Sequence, residues 1–249
     1  MRPADELIAE AEAADVSGWD FGWLAGRATE ERPPWGYAKL LAERVPRAAS
    51  ALDLDTGGGE IVNELPSLAP RMCVTEAWPP NVARARALLE PRGVEVVATE
   101  PDAALPFPDT TFELVISRHP VSPDWPEIAR VLVPGGTYFA QHVGPGSVRE
   151  LYEYFLGPQP DGDGRDPGLE VREARAAGLH VVDLRTARCR IEIFDIGAVV
   201  YLLRKCVWWV PDFTPQRYRD TLLRLDAQLR TDGPFVAHST RHLIEAVAV

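Results

Sequence analysis

Apolar positions along the chain change their period several times, and each change marks a predicted element. Over residues 4–16, Leu7, Ile8, Ala11 and Ala14 recur at three- and four-residue intervals, which predicts an amphipathic helix. Pro33 and Pro34 stop any preceding helix, and Trp35–Glu43 is read as the helix leading into a sheet. From residue 51 the period drops to two, with Leu52 and Leu54 on one face, and Gly57, Gly58 and Gly59 follow. Glu60–Leu65 is a short helix ended by Pro66, Met72–Glu76 a strand, and Pro79–Pro80 open a helix with Val82, Ala85, Leu88 and Leu89 inward. Further strands are predicted at Val94–Ala98, Phe112–Ser117 and Thr137–Val143, with a helix at Trp125–Leu132 and a VPGG turn at Val133–Gly136. This alternation predicts an α/β fold, doubly wound around a mostly parallel sheet.

The second half is less regular. Ser147 to Glu150 fits a capping box, so Val148–Leu156 is predicted helical. Gly157–Gly168 is rich in proline and glycine and reads as an irregular loop before a helix through Ala177. Leu179–Phe194 is strand-like, with a possible interruption at Arg185–Arg190. Ile196–Lys205 is an apolar helix, Pro215–Leu229 a polar one, and His242–Val249 the last strand. The predicted organisation is an aromatic-rich helical cap over residues 1–44 and a core over 45–249, with 195–235 as a helical insertion before the last strand.

A short apolar strand running into consecutive glycines and then a helix brings backbone close to a ligand, because glycine carries no Cβ and tolerates sharp bends. A plain loop is the bland use of the same stretch. Two other tracts are dense in aromatics: residues 19–37 hold Trp19, Phe21, Trp23, Trp35 and Tyr37, and Trp208 and Trp209 precede Pro211 and Phe213. Rigid rings at low rotamer cost suit a pocket wall. Trp23, Trp35, Tyr37, Trp208 and Trp209 are therefore read as lining a substrate pocket or lid, with a packed cap or a dimer face as alternatives.

Composition narrows the function class. Lys and Arg total 26 against 37 Asp and Glu, a net charge of −11 that opposes attraction to a phosphate backbone. No apolar run approaches the roughly 20 residues needed to span a bilayer, and the N-terminus lacks a secretory pattern, so a cytoplasmic protein without a membrane partner is expected. Cys73, Cys189 and Cys206 are widely spaced and read as small core residues; no metal-ligand spacing is formed and no metal is expected. A monomer or homodimer is expected.

Taken together, Asp53–Gly59 (DLDTGGG), the acidic strand end Glu76, LPFPDTTFELVISRH and EIARVLVPGG at Glu127–Gly136 resemble the class I S-adenosylmethionine-dependent methyltransferases, in particular the type 11 group. The resemblance spans roughly residues 48–143 and implies a Rossmann-like, seven-stranded sheet. It implies S-adenosyl-L-methionine as cofactor and S-adenosyl-L-homocysteine as product, with Glu76 on the ribose. The cofactor-binding set it implies is Asp53, Asp55, Thr56, Gly57, Gly59, Glu76, Asp102, Leu105, Ser117 and Arg118. Asp55 stands where the family's first motif glycine is usual, and Pro101 stands at the usual acidic adenine contact, with Asp102 one position later. A nicotinamide dehydrogenase is disfavoured because the G-x-G-x-x-G helix start is missing.

Methyl transfer from a sulfonium is an in-line displacement in which the protein aligns the partners and excludes water. Where the acceptor must lose a proton, His119 at the end of the fourth core strand is the candidate base, and His142 a weaker one; packing or loop hydrogen bonding is the bland reading of both. His238 and His242 read as satisfied groups near the last strand. The expected acceptor is a small, partly apolar molecule offering oxygen, nitrogen or carbon. An RNA methyltransferase and a cofactor-binding protein without turnover are the alternatives.

Overall fold

The computed structural model describes residues 2–101, 103–160, 162 and 165–249. In chain order the principal elements are α1 (Ala4–Ala13), β1 (Ala28–Glu30), α2 (Tyr37–Arg44), β2 (Ser50–Leu54), α3 (Glu60–Asn63), β3 (Arg71–Glu76), α4 (Pro79–Leu89), β4 (Glu95–Ala98), β5 (Phe112–Arg118), α5 (Trp125–Val131) and β6 (Leu132–Val143). There follow α6 (Arg149–Leu156), α7 (Pro167–Ala176), β7 (Leu179–Ile193), α8 (Ile196–Lys205), α9 (Arg219–Asp232) and β8 (Phe235–Ala248). Hydrogen-bonded strands run in the order β1-β7-β8-β6-β5-β2-β3-β4. Among the described residues the strands therefore number eight, one more than predicted; the addition is β1, three residues of the N-terminal tract paired antiparallel to Ile191–Ile193.

Two compact units divide the chain, and β7 and β8 contribute a segment to each. The sheet unit comprises residues 33–145, 163–187 and 241–249. In it β4, β3, β2, β5 and β6 pair in parallel, and β8 pairs antiparallel with β6. Such a sheet needs both faces covered, and two apolar clusters do this. One holds Leu41, Val45, Val74, Leu89, Ile116 and Phe139, brought by α2 and α4; the other holds Trp125, Ile128, Tyr138, Ala174 and Leu179, brought by α5 and α7. Each fully buried Leu, Ile or Val among them is worth roughly 1.5–3 kcal/mol relative to exposure.

The helical unit comprises residues 1–32, 146–162 and 188–240 and has its own core. Its centre is α8, started by Asp195, whose carboxylate accepts from the Ala198 N–H at 2.9 Å. Ile196, Val199, Val200 and Leu203 are fully buried against Leu7, Ile8 and Ala11 of α1 and Leu222 and Leu225 of α9. The N-terminal tract thus splits at residue 32: Trp35 and Tyr37 belong to the sheet unit, so it does not close as one cap through residue 44.

Several local expectations change. The capping box at Ser147 does not form: Val148 precedes α6 with a φ of 64°, and the Ser147 hydroxyl accepts from the Thr240 N–H at 3.2 Å. Arg185–Arg190 does not interrupt β7, which runs unbroken, because ladder pairing satisfies the backbone even where side chains are polar and exposed. β8 begins at Phe235, seven residues before His242, and α9 starts at Arg219 after a turn. VPGG is part of β6; there Gly135 takes φ 79° and the pairing with β5 shifts register between Phe112 and Leu114.

Candidate active site

At the carboxyl end of β2 the chain turns sharply, with Asp55 at φ 54°, Gly57 at 66° and Gly59 at 86°. Three backbone donors tie this turn to β3, the first being the Asp55 N–H, which reaches the Thr75 hydroxyl at 3.4 Å. The Thr56 N–H reaches the Thr75 carbonyl at 2.9 Å, and the Gly57 N–H reaches Glu76 Oε2 at 2.8 Å. Glu76 Oε1 accepts from the N–H groups of Ala77 and Trp78 at 3.0 and 2.8 Å. A carboxylate has about four acceptor sites, so three are used and about one is left for a ligand hydroxyl without rearrangement. Gly59 has a packing role: a Cβ there would lie 2.7 Å from Leu89 Cδ1. Its N–H is taken by the Thr56 carbonyl at 3.2 Å.

Beside the turn, Asp53 is 1% exposed, and its Oδ2 and the Thr56 hydroxyl make no well-formed hydrogen bond among the described residues. Burial pushes the Asp53 carboxyl up to about 7; the neighbouring Thr56 hydroxyl, close by but without a well-formed hydrogen bond, and Arg118 oppose the rise, and the carboxylates of Asp55 and Glu76 add to it. Sequence reasoning did not single out Asn81, in the first turn of α4, whose Oδ1 is also buried without a partner. Unpaired buried oxygens are costly unless a ligand or water meets them. No sequence signal distinguishes Asn81 from any polar residue after a Pro-Pro helix start.

The LPFPD segment is held by α5. Leu105 N–H donates to Glu127 Oε2 at 2.6 Å, while Arg130 donates to the carbonyls of Leu105 and Phe107 at 3.0 and 2.7 Å. Arg130 also pairs with Glu127 at 2.6 Å and Asp109 at 2.9 Å, and it holds the Glu127 carboxyl below its ordinary range. Asp102 lies outside the described residues.

At the end of β5, the Ser117 hydroxyl is spent on the Leu54 carbonyl at 3.1 Å, and the Ser117 carbonyl accepts from the Tyr37 hydroxyl at 2.8 Å. Arg118 is exposed and His119 takes φ 63°. The Trp35 indole N–H, which can only donate, reaches Gln141 Oε1 at 2.8 Å. That turns the Gln141 amide N–H toward His119 Nε2 at 3.0 Å. His119 Nε2 must then accept, so the ring is neutral with its proton on Nδ1. Burial holds its pKa well below 6.5, and Arg241 and Arg118 add to the effect. In this arrangement His119 offers a donor and no free lone pair, which is the opposite of a base.

His142 is 2% exposed and committed on both nitrogens, Nδ1 to Glu170 Oε2 at 2.7 Å and Nε2 to the Tyr138 hydroxyl at 2.9 Å. It presents no free nitrogen for a base either. His242 Nε2 meets the same Glu170 oxygen at 2.7 Å. Against the burial that would raise it, hydrogen bonds from the two histidines hold Glu170 down to about 2. The chain distances among residues 142, 170 and 242 gave no spacing from which to expect this convergence.

The five aromatic residues read as a pocket do not assemble within either unit. Trp35 and Tyr37 are buried in the sheet unit, where Tyr37 stacks on Phe139 at 5.5 Å. In the helical unit Trp23 stacks on Tyr201 at 4.7 Å, Trp209 packs on the core, and Trp208, 52% exposed, sits 5.8 Å from Trp19.

Residues 52–140 match the family model described as a methyltransferase domain. A stretch of 106 residues is 41% identical to demethylmenaquinone methyltransferase of Thermus thermophilus, covering 39% of this chain and 47% of that protein. The chain thus spans about half the length of the curated relative it matches. Among solved structures, a provisionally named methyltransferase of Bacillus halodurans superposes with a TM-score of 0.60 at 18% identity, covering 85% of this chain and 98% of the other. Geranyl diphosphate methyltransferase in complex with S-adenosylmethionine gives 0.51 at 12% identity, covering 85% and 84%. Both likenesses are of fold.

Proposed function

We propose that this chain, whose residues 52–140 form a methyltransferase domain of the class I, type 11 family, transfers a methyl group from S-adenosylmethionine to a small, partly apolar acceptor. The observation that carries the reading is the pair of buried oxygens, Asp53 Oδ2 and Thr56 Oγ1, which make no well-formed hydrogen bond among the described residues, beside a glycine turn closed by Glu76. These residues fit a polar, partly cationic nucleoside ligand. When bound, S-adenosylmethionine supplies an electrophilic methyl on a sulfonium.

The chain's own residues hold and align. Glu76 has about one acceptor site left for a ribose hydroxyl, and Gly57 permits close approach of the backbone. Asp53 and Thr56 supply polar ends to the buried floor of the turn. The Leu105–Asp109 arm, which in the resembling family lies over the adenine, is fixed by Glu127 and Arg130. His119 donates from Nδ1 to orient an acceptor atom and takes no proton. The acceptor accordingly reacts as a carbon, nitrogen or oxygen nucleophile that needs no proton removed by this histidine.

Net charge of −11 supports a small acceptor over nucleic acid, and the Thermus relative is named for demethylmenaquinone, itself a small molecule. Transfer of isotopically labelled methyl to a panel of quinols, phenols, amines and RNA tests this. Label is expected in a small molecule. Saturable labelling of RNA at physiological salt would overturn the acceptor class.

A further inference from the structure

On the face of β6 opposite Gln141, three ligand-type side chains from three elements meet. His142 of β6 and His242 of β8 are direct cross-strand partners, and Glu170 comes from the first turns of α7. His142 Nδ1 and His242 Nε2 each lie 2.7 Å from the same oxygen, Glu170 Oε2, and the three atoms lie within 4.8 Å of one another. The residues are 2%, 0% and 6% exposed. We infer that His142, Glu170 and His242 form a buried site for one divalent transition-metal ion of the zinc class.

Two imidazoles and a carboxylate are the donor set of zinc and of other first-row ions such as ferrous iron and cobalt, and do not suit magnesium or calcium, which prefer oxygen. The outer shell also fits. A metal-bound histidine ordinarily donates its far ring N–H to a neighbour, and His142 Nε2 lies 2.9 Å from the Tyr138 hydroxyl. With an ion at Nδ1, the ring proton of neutral His142 moves to Nε2 and points at Tyr138, so no proton is lost from the ring. His242 differs: its proton would pass to Nδ1, a buried nitrogen that has no protein partner among the described residues. Trp125 edges against Tyr138 at 5.4 Å and closes the apolar side. The ligand atoms are held on two paired strands and a helix, so little ordering is required on binding. An ion there would fasten α7 to β6 and β8, and fix the strand whose other face holds Gln141, the hydrogen-bond partner of His119.

The test uses the full chain expressed with zinc supplementation and purified without chelators. Elemental analysis should find about one zinc per chain, and removal with a chelator should lower the melting temperature by about 5–10 °C, restored by zinc alone. Glu170→Gln and His242→Ala should each lose the ion. Because either variant could fail to fold, the intact chain is also grown with cobalt. A d–d spectrum without thiolate-to-cobalt charge transfer supports the site, whereas a thiolate band would place the ion on cysteine and overturn it. Less than a tenth of an equivalent of zinc in the intact chain, or full retention in both variants, would overturn it as well.

Discussion

Asp53 and Asp55 stand two residues apart, and burial raises the carboxyl of each. Asp53 is buried with its carboxyl raised to about 7, so its folded value lies above its unfolded one. Its contribution to stability is present below the unfolded value near 3.8 and is lost as pH rises through about 7. A cationic ligand favours the ionised form. Affinity for S-adenosylmethionine should therefore rise by up to about tenfold between roughly pH 6 and 8, and less for S-adenosylhomocysteine, which lacks the sulfonium. Titration calorimetry at several pH values checks this, with Asp53→Asn flattening the dependence. Asp55 holds φ 54°, a left-handed conformation that aspartate tolerates and glycine prefers. Asp55→Gly should then change stability by less than about 1 kcal/mol in denaturant titration, since relief of strain offsets the added freedom of the unfolded chain. The identities of Asp53, Thr56 and Glu76 were legible from the motif. That His119 is held as a donor was not, because it depends on Trp35 and Gln141, far away in the chain.

At the scale of elements, the strand–helix alternation from Leu52 to Val143 was readable because each strand is a short apolar run bounded by glycine or proline. Gly59 illustrates what such a reading leaves out. It resembles a cofactor contact, yet its missing Cβ makes room for Leu89 of α4. Gly59→Ala combines that 2.7 Å clash with φ 86° and should destabilise the sheet unit by about 1–3 kcal/mol, measured by thermal or chemical unfolding. The first half of β8 escaped notice because Ser239, Thr240 and Arg241 mask the alternation. The capping box failed for a related reason: Ser147 serves the β8 backbone, a partner that no local pattern reveals.

For the whole molecule, segments 1–32, 146–162 and 188–240 build one core from three distant pieces of chain. Periodicity locates each helix but cannot say that they belong together, which is why the N-terminal tract and the late insertion were read as separate additions. Among the described residues no helix is long and apolar enough to cross a membrane. In the sheet unit, the turn from Asp53 to Gly59 and the end of β3 are proposed to hold S-adenosylmethionine. Isothermal titration with S-adenosylmethionine and S-adenosylhomocysteine tests this most directly. One site per chain is expected for both. Gly57→Val should abolish binding, since a β-branched side chain cannot hold φ 66°. Glu76→Ala should weaken it by about 1–3 kcal/mol through lost hydrogen bonds. No heat of binding for either ligand, or affinities unchanged in both variants, would contradict it.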